Sequence, residues 1–480
     1  MKTAVSLMSV FLTALTTASA DFRVFRSAEG QVMEAEVLEV TEKSTTMRLQ
    51  NGQEFTLPLE RFSPADQEFL REWSPPGLDG EQIEKLNEVI GHPLFSGSKA
   101  LWGESAAEIA LRLKWPPESE TKYSSSFRRY PGPKERFLSS RLYSAVVYAG
   151  EDGHPDRFSL VYANKGDFYA AAGSGEDHFA AGQVSDEAGS LEEAMASAEE
   201  RIAKQLSSIL AEGESQRFGE GSTRRTVRRW DFQGHAFLLS HVEQEYVGLT
   251  IVPTEQADSS GRSGLTSDQV LRARLERNVL RQENGDVVLA NIPMVDQGPK
   301  GYCVPATFER AMRYMAIPAD MYLLAQAGQS DAGGGTVTSI LVDAVKSEVS
   351  SKARRVRDLD LERFKLSLIA RYIDKGVPIL WHMASLDRYN QIANERTVAR
   401  ESISDWSAWA EMVSAEMEAN VESGDLHPET NYHICMIVGY NAATEEIAVS
   451  DSWGPRYELR WVHLGEAAAV SMGGGYVIDL

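Results

Sequence analysis

A chain of 480 residues is longer than one hydrophobic core organises, so two to four domains are expected. Apolar content of 42% and charged content of 25% are those of a globular protein, which sets fibrous and disordered classes aside. The formal net charge of −22 argues against a nucleic-acid binder, whose footprint is basic.

Residues 1–20 read as an export signal. Lys2 supplies a short positive start, Ala4 to Leu15 is mostly apolar but too short to span a bilayer, and Ala18-Ser19-Ala20 is a small-residue cleavage site. The processed chain is therefore expected to begin at Asp21 and to be periplasmic or secreted. Only two cysteines occur, Cys303 and Cys435, so there is no disulfide framework. A bridge between them would consume the candidate nucleophile discussed below, so the two readings exclude each other.

Residues 21–74 form an expected all-β unit. Val- and Leu-rich runs at 31–41 and 45–50 lead to Asn51-Gly52, a dipeptide suited to a hairpin turn. Phe55, Leu57 and Leu59 then alternate with polar residues, and Ser63-Pro64 opens a helix. Phe25-Arg26-Ser27, the Asn51-Gly52 turn and the run from Leu57-Pro58-Leu59-Glu60-Arg61-Phe62 to Phe69-Leu70 are similar to the small SH3-like homology domain first described in a yeast endocytic adaptor. The resemblance implies an SH3-like β-barrel and a binding or spacer module, with a peptide as possible ligand.

Ser74-Pro75-Pro76-Gly77 is an expected linker. Residues 80–253 mix helix and strand and are read as an α+β domain of unknown role. Capping boxes stand at Ser105/Glu108 and Ser190/Glu193, the second before an amphipathic helix through Leu191, Met195, Ala198, Ile202, Leu206 and Ile209. Strand-like runs at 142–148 and 157–163 suggest a hairpin, and those at 225–230, 235–241 and 246–252 a meander. Thr254 to Gly264 is polar and rich in Ser and Gly, as a flexible linker would be. Residues 265–480 then form the last domain.

That domain carries the chemistry. In Asp296-Gln297-Gly298-Pro299-Lys300-Gly301-Tyr302-Cys303, a glutamine precedes a cysteine by six positions with two glycines between them. A helical pattern follows through Phe308, Met312 and Met315, with Pro305 in the first turn. A helix N-terminus and a nearby imidazolium stabilise a thiolate, which can lower a thiol pKa from about 8.5 to about 3.5–7.5. Gln297 and the Cys303 N–H can act as oxyanion donors. An apolar strand is expected from Tyr432 to Tyr440, with His433, Cys435, Ile437 and Gly439 on one face. A second strand, 446–450, delivers Asp451-Ser452-Trp453-Gly454, and a hairpin would bring Asp451 to His433. Taken singly, a free cysteine such as Cys303 and a histidine such as His433 are more often core residues, Gln297 fits a loop and Asp451 a turn; the joint pattern points to catalysis. Cys435 is read as a core residue. His382, after the strand 377–381, is the rival base but has no carboxylate placed to orient it. His463 is expected on the surface, and Asp331 to Thr336 is a loop near the cleft, with Thr336 or Thr338 capping the next helix. Residues 385–430 are a helical insertion, expected as a lid or specificity element. No metal-ligand spacing is recognisable and no cofactor is implied.

Residues of about 285–480 resemble papain-like cysteine peptidases, in particular the branch of the bacteriocin-leader-processing (double-glycine) peptidases. The resemblance implies a two-lobed papain-like fold, with Gln297 as oxyanion residue, Cys303 as nucleophile, His433 as general base and Asp451 as its orienting group. Trp453 would cover the His433–Asp451 pair, and Gly301 and Tyr302 would support the substrate cleft. Two features depart from the pattern: Val-Pro-Ala-Thr follows the cysteine, and no transporter membrane domain is attached. The function expected is hydrolysis of peptide bonds in a peptide or protein substrate, without nucleic acid and with no membrane span after signal removal. Acyl transfer or amidase chemistry on the same residues, and peptide binding on an inactive scaffold, are the alternatives. A third possibility is a zymogen in which residues 21–265 cover the cleft.

Overall fold

The computed structural model describes residues 22–41, 43–51, 53–73, 79–169, 190–262, 264–331, 335–428 and 431–480. The expected export signal and the 74–77 linker lie outside them, as does Gly52 of the first turn. The chain divides into two compact units, residues 1–77 and 78–480. Among the described residues no helix is long and apolar enough to cross a membrane.

In the first unit, strands Arg23–Arg26, Val32–Val40, Ser44–Leu49 and Glu54–Pro58 form an antiparallel meander. The helix Pro64–Glu72 follows, with the Ser63 hydroxyl capping the Asp66 N–H. Phe25, Ala35, Met47, Leu59, Phe62 and Leu70 are its core, so the alternating strand residues all turn to one side.

The second unit contains two eight-stranded sheets. The first orders its strands as Glu214–Phe218, Arg225–Phe232, His235–Val242, Tyr246–Pro253, Pro155–Asn164, Ser144–Ala149, Ser125–Arg129 and Pro117–Glu120, all antiparallel. The helices Gly80–Ile90, Ala106–Leu113 and Leu191–Ile209 pack on one face. Period-2 alternation along Pro155–Asn164 divides that strand: Phe158, Leu160 and Tyr162 meet the helices, whereas Val161 joins Val295, Tyr302, Ala306, Met321, Tyr322 and Ala325 of the C-terminal region. The two regions are thus packed together as one body. The expected flexible linker at 254–264 is not an open coil. It carries the helix Thr254–Asp258, and Ala257 is buried with Phe218, Val227 and Leu238.

The second sheet runs Val279–Arg281, Asp286–Leu289, Tyr432–Asn441, Ile379–Ala384, Ser471–Asp479, Arg355–Asp360, with Glu446–Ser450 pairing the third of these and Arg460–His463 pairing Glu446–Ser450. Helix Cys303–Tyr314 crosses it, burying Phe308, Ala311 and Met312 against Ile434, Met436 and Tyr476 in one core. The 385–430 insertion is two helices, Asp387–Arg400 and Trp406–Glu422. They are anchored to the sheet by the Arg400–Glu446 and Arg400–Asp286 pairs and to the helix Leu464–Val470 by the Arg396–Glu466 pair, all buried, so this segment is built into the body instead of standing free as a lid.

Candidate active site

Cys303 is the first residue of its helix. Gly298 turns the chain before it at φ +65°, where a side chain would be strained and a Cβ would lie 2.9 Å from the Tyr130 ring. Tyr302 at the N-cap offers no side-chain cap, so the first-turn N–H groups stay available to the sulfur, and the Val304 and Ile434 backbones both hydrogen-bond it. Spacing does the rest. Thr307 and Arg310, four and seven residues on, share the Cys303 face of the helix. Thr307 Oγ1 donates to the Ile434 carbonyl at 3.2 Å, next to His433. Arg310 Nη2 donates to Ser450 Oγ at 2.5 Å and its Nε to the Pro293 carbonyl at 2.9 Å. The cysteine helix is therefore pinned to both strands that carry the other site residues.

His433 lies near the start of Tyr432–Asn441 and is buried. Its Nε2 is 2.9 Å from Asp451 Oδ1, which leaves Nδ1 for the hydrogen bond to Cys303. The hairpin reading of the sequence explains the first contact: Met436 pairs with Ser450, so the chain leaving that strand runs back along the histidine strand. Burial lowers the His433 pKa, but the bonds to Asp451 and to Cys303 outweigh it and lift the value to about 9. Burial likewise pushes the Cys303 thiol up, and the His433 bond and charge bring it below its ordinary value. A thiol and an imidazole shifted in these directions favour a thiolate–imidazolium pair near neutrality.

Every residue of Asp451-Ser452-Trp453-Gly454 contributes. Ser452 Oγ donates to Gln297 Oε1 at 2.8 Å, and Gln297 N–H donates to the Ser452 carbonyl at 2.8 Å. Gln297 Nε2 donates to the Lys300 carbonyl at 2.8 Å, and an amide nitrogen has a second hydrogen left to give. Trp453 stacks on His433 with centroids 4.7 Å apart. Gly454 has φ +93°, and a Cβ there would lie 3.3 Å from Asp296 Oδ2.

Arg460 was not found from the sequence. Its Nη2 donates to Asp451 Oδ2 at 2.6 Å, and its Nη1 to Asn390 Oδ1 at 3.0 Å and Asn394 Oδ1 at 3.2 Å. The helical insertion thereby reaches the aspartate. Burial raises the Asp451 carboxyl, but the Arg460 charge and the His433 bond hold it below the usual carboxylate range. No pattern links an arginine to an aspartate nine positions earlier; only the strand Arg460–His463, paired to Glu446–Ser450, brings them together.

Other expected residues fall elsewhere. Gly301 sits against Gly335, whose backbone would be 3.2 Å from a Gly301 Cβ, so the 331–335 loop does adjoin the cysteine loop. Its central residues 332–334 lie outside the described ones. The next helix, Thr338–Ser351, has no side-chain cap; Thr336 bonds Ser330 instead. Tyr302 does not line a cleft. It is buried, and its Oη accepts from the Gly166 N–H at 3.2 Å. His382 pairs in register with Ile434, not His433, so its ring turns to Tyr476 and away from Cys303. His463 is buried rather than exposed, because its Nδ1 caps the helix Leu464–Val470. Cys303 and Cys435 are both free thiols, and burial drives Cys435 well above its ordinary pKa. Among the described residues no His, Cys, Asp and Glu group could hold a metal ion.

No curated protein matches the chain. The profile of the Peptidase_C39 like family matches residues 289–469, a span that holds Gln297, Cys303, His433 and Asp451 and supports a cysteine-peptidase-like domain there.

Proposed function

We propose that the chain is an exported cysteine peptidase acting through Cys303, His433 and Asp451. The observation that carries this reading is a single imidazole bonded on one side to a free thiol at a helix N-terminus and on the other to a buried carboxylate. The Cys303 thiolate attacks the carbonyl carbon of a peptide bond. The oxyanion that forms is held by the second Gln297 Nε2–H and the Cys303 N–H, each such donor being worth about 2.7–4 kcal/mol in the transition state. His433 gives its Nδ1 proton to the leaving amine, then takes one from water, and the hydroxide releases the acyl group from sulfur. Asp451 holds the tautomer and balances the imidazolium. The substrate is a peptide or protein met in the periplasm or outside the cell, after cleavage behind Ala20. The first unit would serve as the SH3-like binding or spacer module.

Iodoacetamide labelling tests the reading. Cys303 should label fast in the native protein, more slowly in His433→Ala, and Cys435 only after unfolding. Labelling of Cys303 no faster than an ordinary thiol sinks the proposal. Release of acyl groups to added amines in preference to water would keep the triad but move the reaction class to acyl transfer.

A further inference from the structure

The loop that carries Gln297 is held from outside the family-matched region. Lys300 has its side chain entirely buried, and its Nζ is 3.0 Å from Asp167 Oδ1. Asp167 sits in the short helix Lys165–Phe168 at the end of a strand of the first sheet. Its Oδ2 accepts from Tyr322 Oη at 3.1 Å and from Asn164 Nδ2 at 2.6 Å. Three rings surround the ammonium, with centroids at 4.6 Å for Tyr130, 5.1 Å for Tyr322 and 5.7 Å for Tyr302. The carbonyl of the same lysine accepts from Gln297 Nε2 and from the Tyr302 N–H, both at 2.8 Å. Lys300 thus joins a buried ion pair through its side chain to the oxyanion amide through its backbone. Neighbouring contacts act in the same sense: Tyr130 Oη donates to the Asp296 carbonyl at 2.5 Å, and Glu118 Oε1 accepts from the Asp296 N–H at 2.9 Å.

A lysine in so dry a site is costly unless paired. Nothing in the chemistry of Cys303 requires this charge, which does not touch the sulfur, His433 or Asp451. The pair sits where it can set the path of the Gln297–Gly301 loop. We infer that Asp167 is a positioning residue for the oxyanion amide: through Lys300 the 80–253 region completes the active site, and residues 289–469 by themselves do not make a working one. The inference rests on the peptidase reading above.

Two reactions of Cys303 separate positioning from general damage. Alkylation by iodoacetamide forms no oxyanion, whereas acylation by p-nitrophenyl acetate does. In the full chain, Asp167→Asn should slow acylation at least about tenfold, a fraction of the ~100–1,000-fold carried by one oxyanion donor. Alkylation should stay within about twofold of wild type, because the thiolate–imidazolium pair is untouched. Tyr322→Phe removes one bond to Asp167 and no charge. It should lower the acylation-to-alkylation ratio less, in the same direction, and serves if Asp167→Asn does not fold. An unchanged ratio in whichever of the two folds, beside a reactive wild type, overturns the inference alone. A parallel loss of both reactions assigns Asp167 a merely structural role and also overturns it. Ordinary-thiol reactivity in the wild type overturns the peptidase reading, and this inference with it.

Discussion

Replacing Arg460 with Met keeps the length of the side chain and removes its charge. Asp451 is 1% exposed and has two close partners, His433 at 2.9 Å and Arg460 at 2.6 Å. Water cannot take the place of the lost guanidinium at that depth. Removing one partner of a buried pair costs about 3–5 kcal/mol, because the other charge stays buried and uncompensated. Asn390 and Asn394 also lose their donor, so the expected loss falls in the upper part of that range. Urea unfolding of wild type and Arg460→Met, followed by circular dichroism, measures it. A second readout is specific to the site. Arg460 is the strongest influence holding the Asp451 carboxyl down. Without it Asp451 takes up a proton at higher pH, His433 loses its counter-charge, and the acid limb of Cys303 alkylation moves to higher pH. Arg460→Lys keeps the charge but not the fork, since one ammonium cannot serve Asp451, Asn390 and Asn394 together; it should restore the acid limb and only part of the stability. A Met variant within about 1 kcal/mol of wild type, the size of a surface pair, with an unmoved acid limb would refute this account of Arg460.

Further expectations concern the neighbours of His433. Trp453→Ala should cost about 3–5 kcal/mol for the lost buried ring, and the alkaline limb of Cys303 alkylation should shift as water reaches His433; an unshifted limb would count against a covering role. His433 has a folded pKa of about 9 against an unfolded value of about 6.5, so its contribution is fully present below pH ~6.5 and lost as pH rises through about 9. The gap in unfolding free energy between wild type and His433→Ala should therefore narrow from pH 6 to pH 10, and a gap that widens would reverse the sign argued here. Asp451, depressed in the fold, contributes above its ordinary unfolded range, and that contribution disappears as pH falls through its lower folded pKa, which acid titration of Asp451→Asn against wild type checks. His382→Ala should leave the rate and pH profile of Cys303 alkylation unaltered, since that ring faces Tyr476; a slowed rate would reinstate it as a base.

How much of the site was legible depended on the range of the signal. Gly298 and Gly301 before a helical pattern, alternation along Tyr432–Asn441, and a hairpin returning to Asp-Ser-Trp-Gly are all local, and each follows from backbone sterics or strand geometry. Those patterns put Cys303 at a helix start and bring Asp451 back to His433, whereas the face that His382 takes depends on the register between its strand and Tyr432–Asn441. Other features have no local signature. Whether His463 is a surface or a capping histidine depends on the helix that follows it and on what packs over both. Tyr302 points into the body because the strand Pro155–Asn164, more than a hundred residues earlier, presents Val161 to it and the short helix Lys165–Phe168 that follows presents the Gly166 N–H. The insertion at 385–430 reads from sequence as a helical lid or specificity element, yet its arginines find buried carboxylates on the sheet and on the helix Leu464–Val470, and Asn390 and Asn394 find Arg460. A buried charge needs a partner wherever the chain can supply one, and the partner can lie at any separation: 9 residues for Arg460 and Asp451, 133 for Lys300 and Asp167. The candidate residues Cys303, His433 and Asp451 were therefore legible in short stretches of sequence. The groups that orient them were decided only when two sheets and a helical insertion closed around the site.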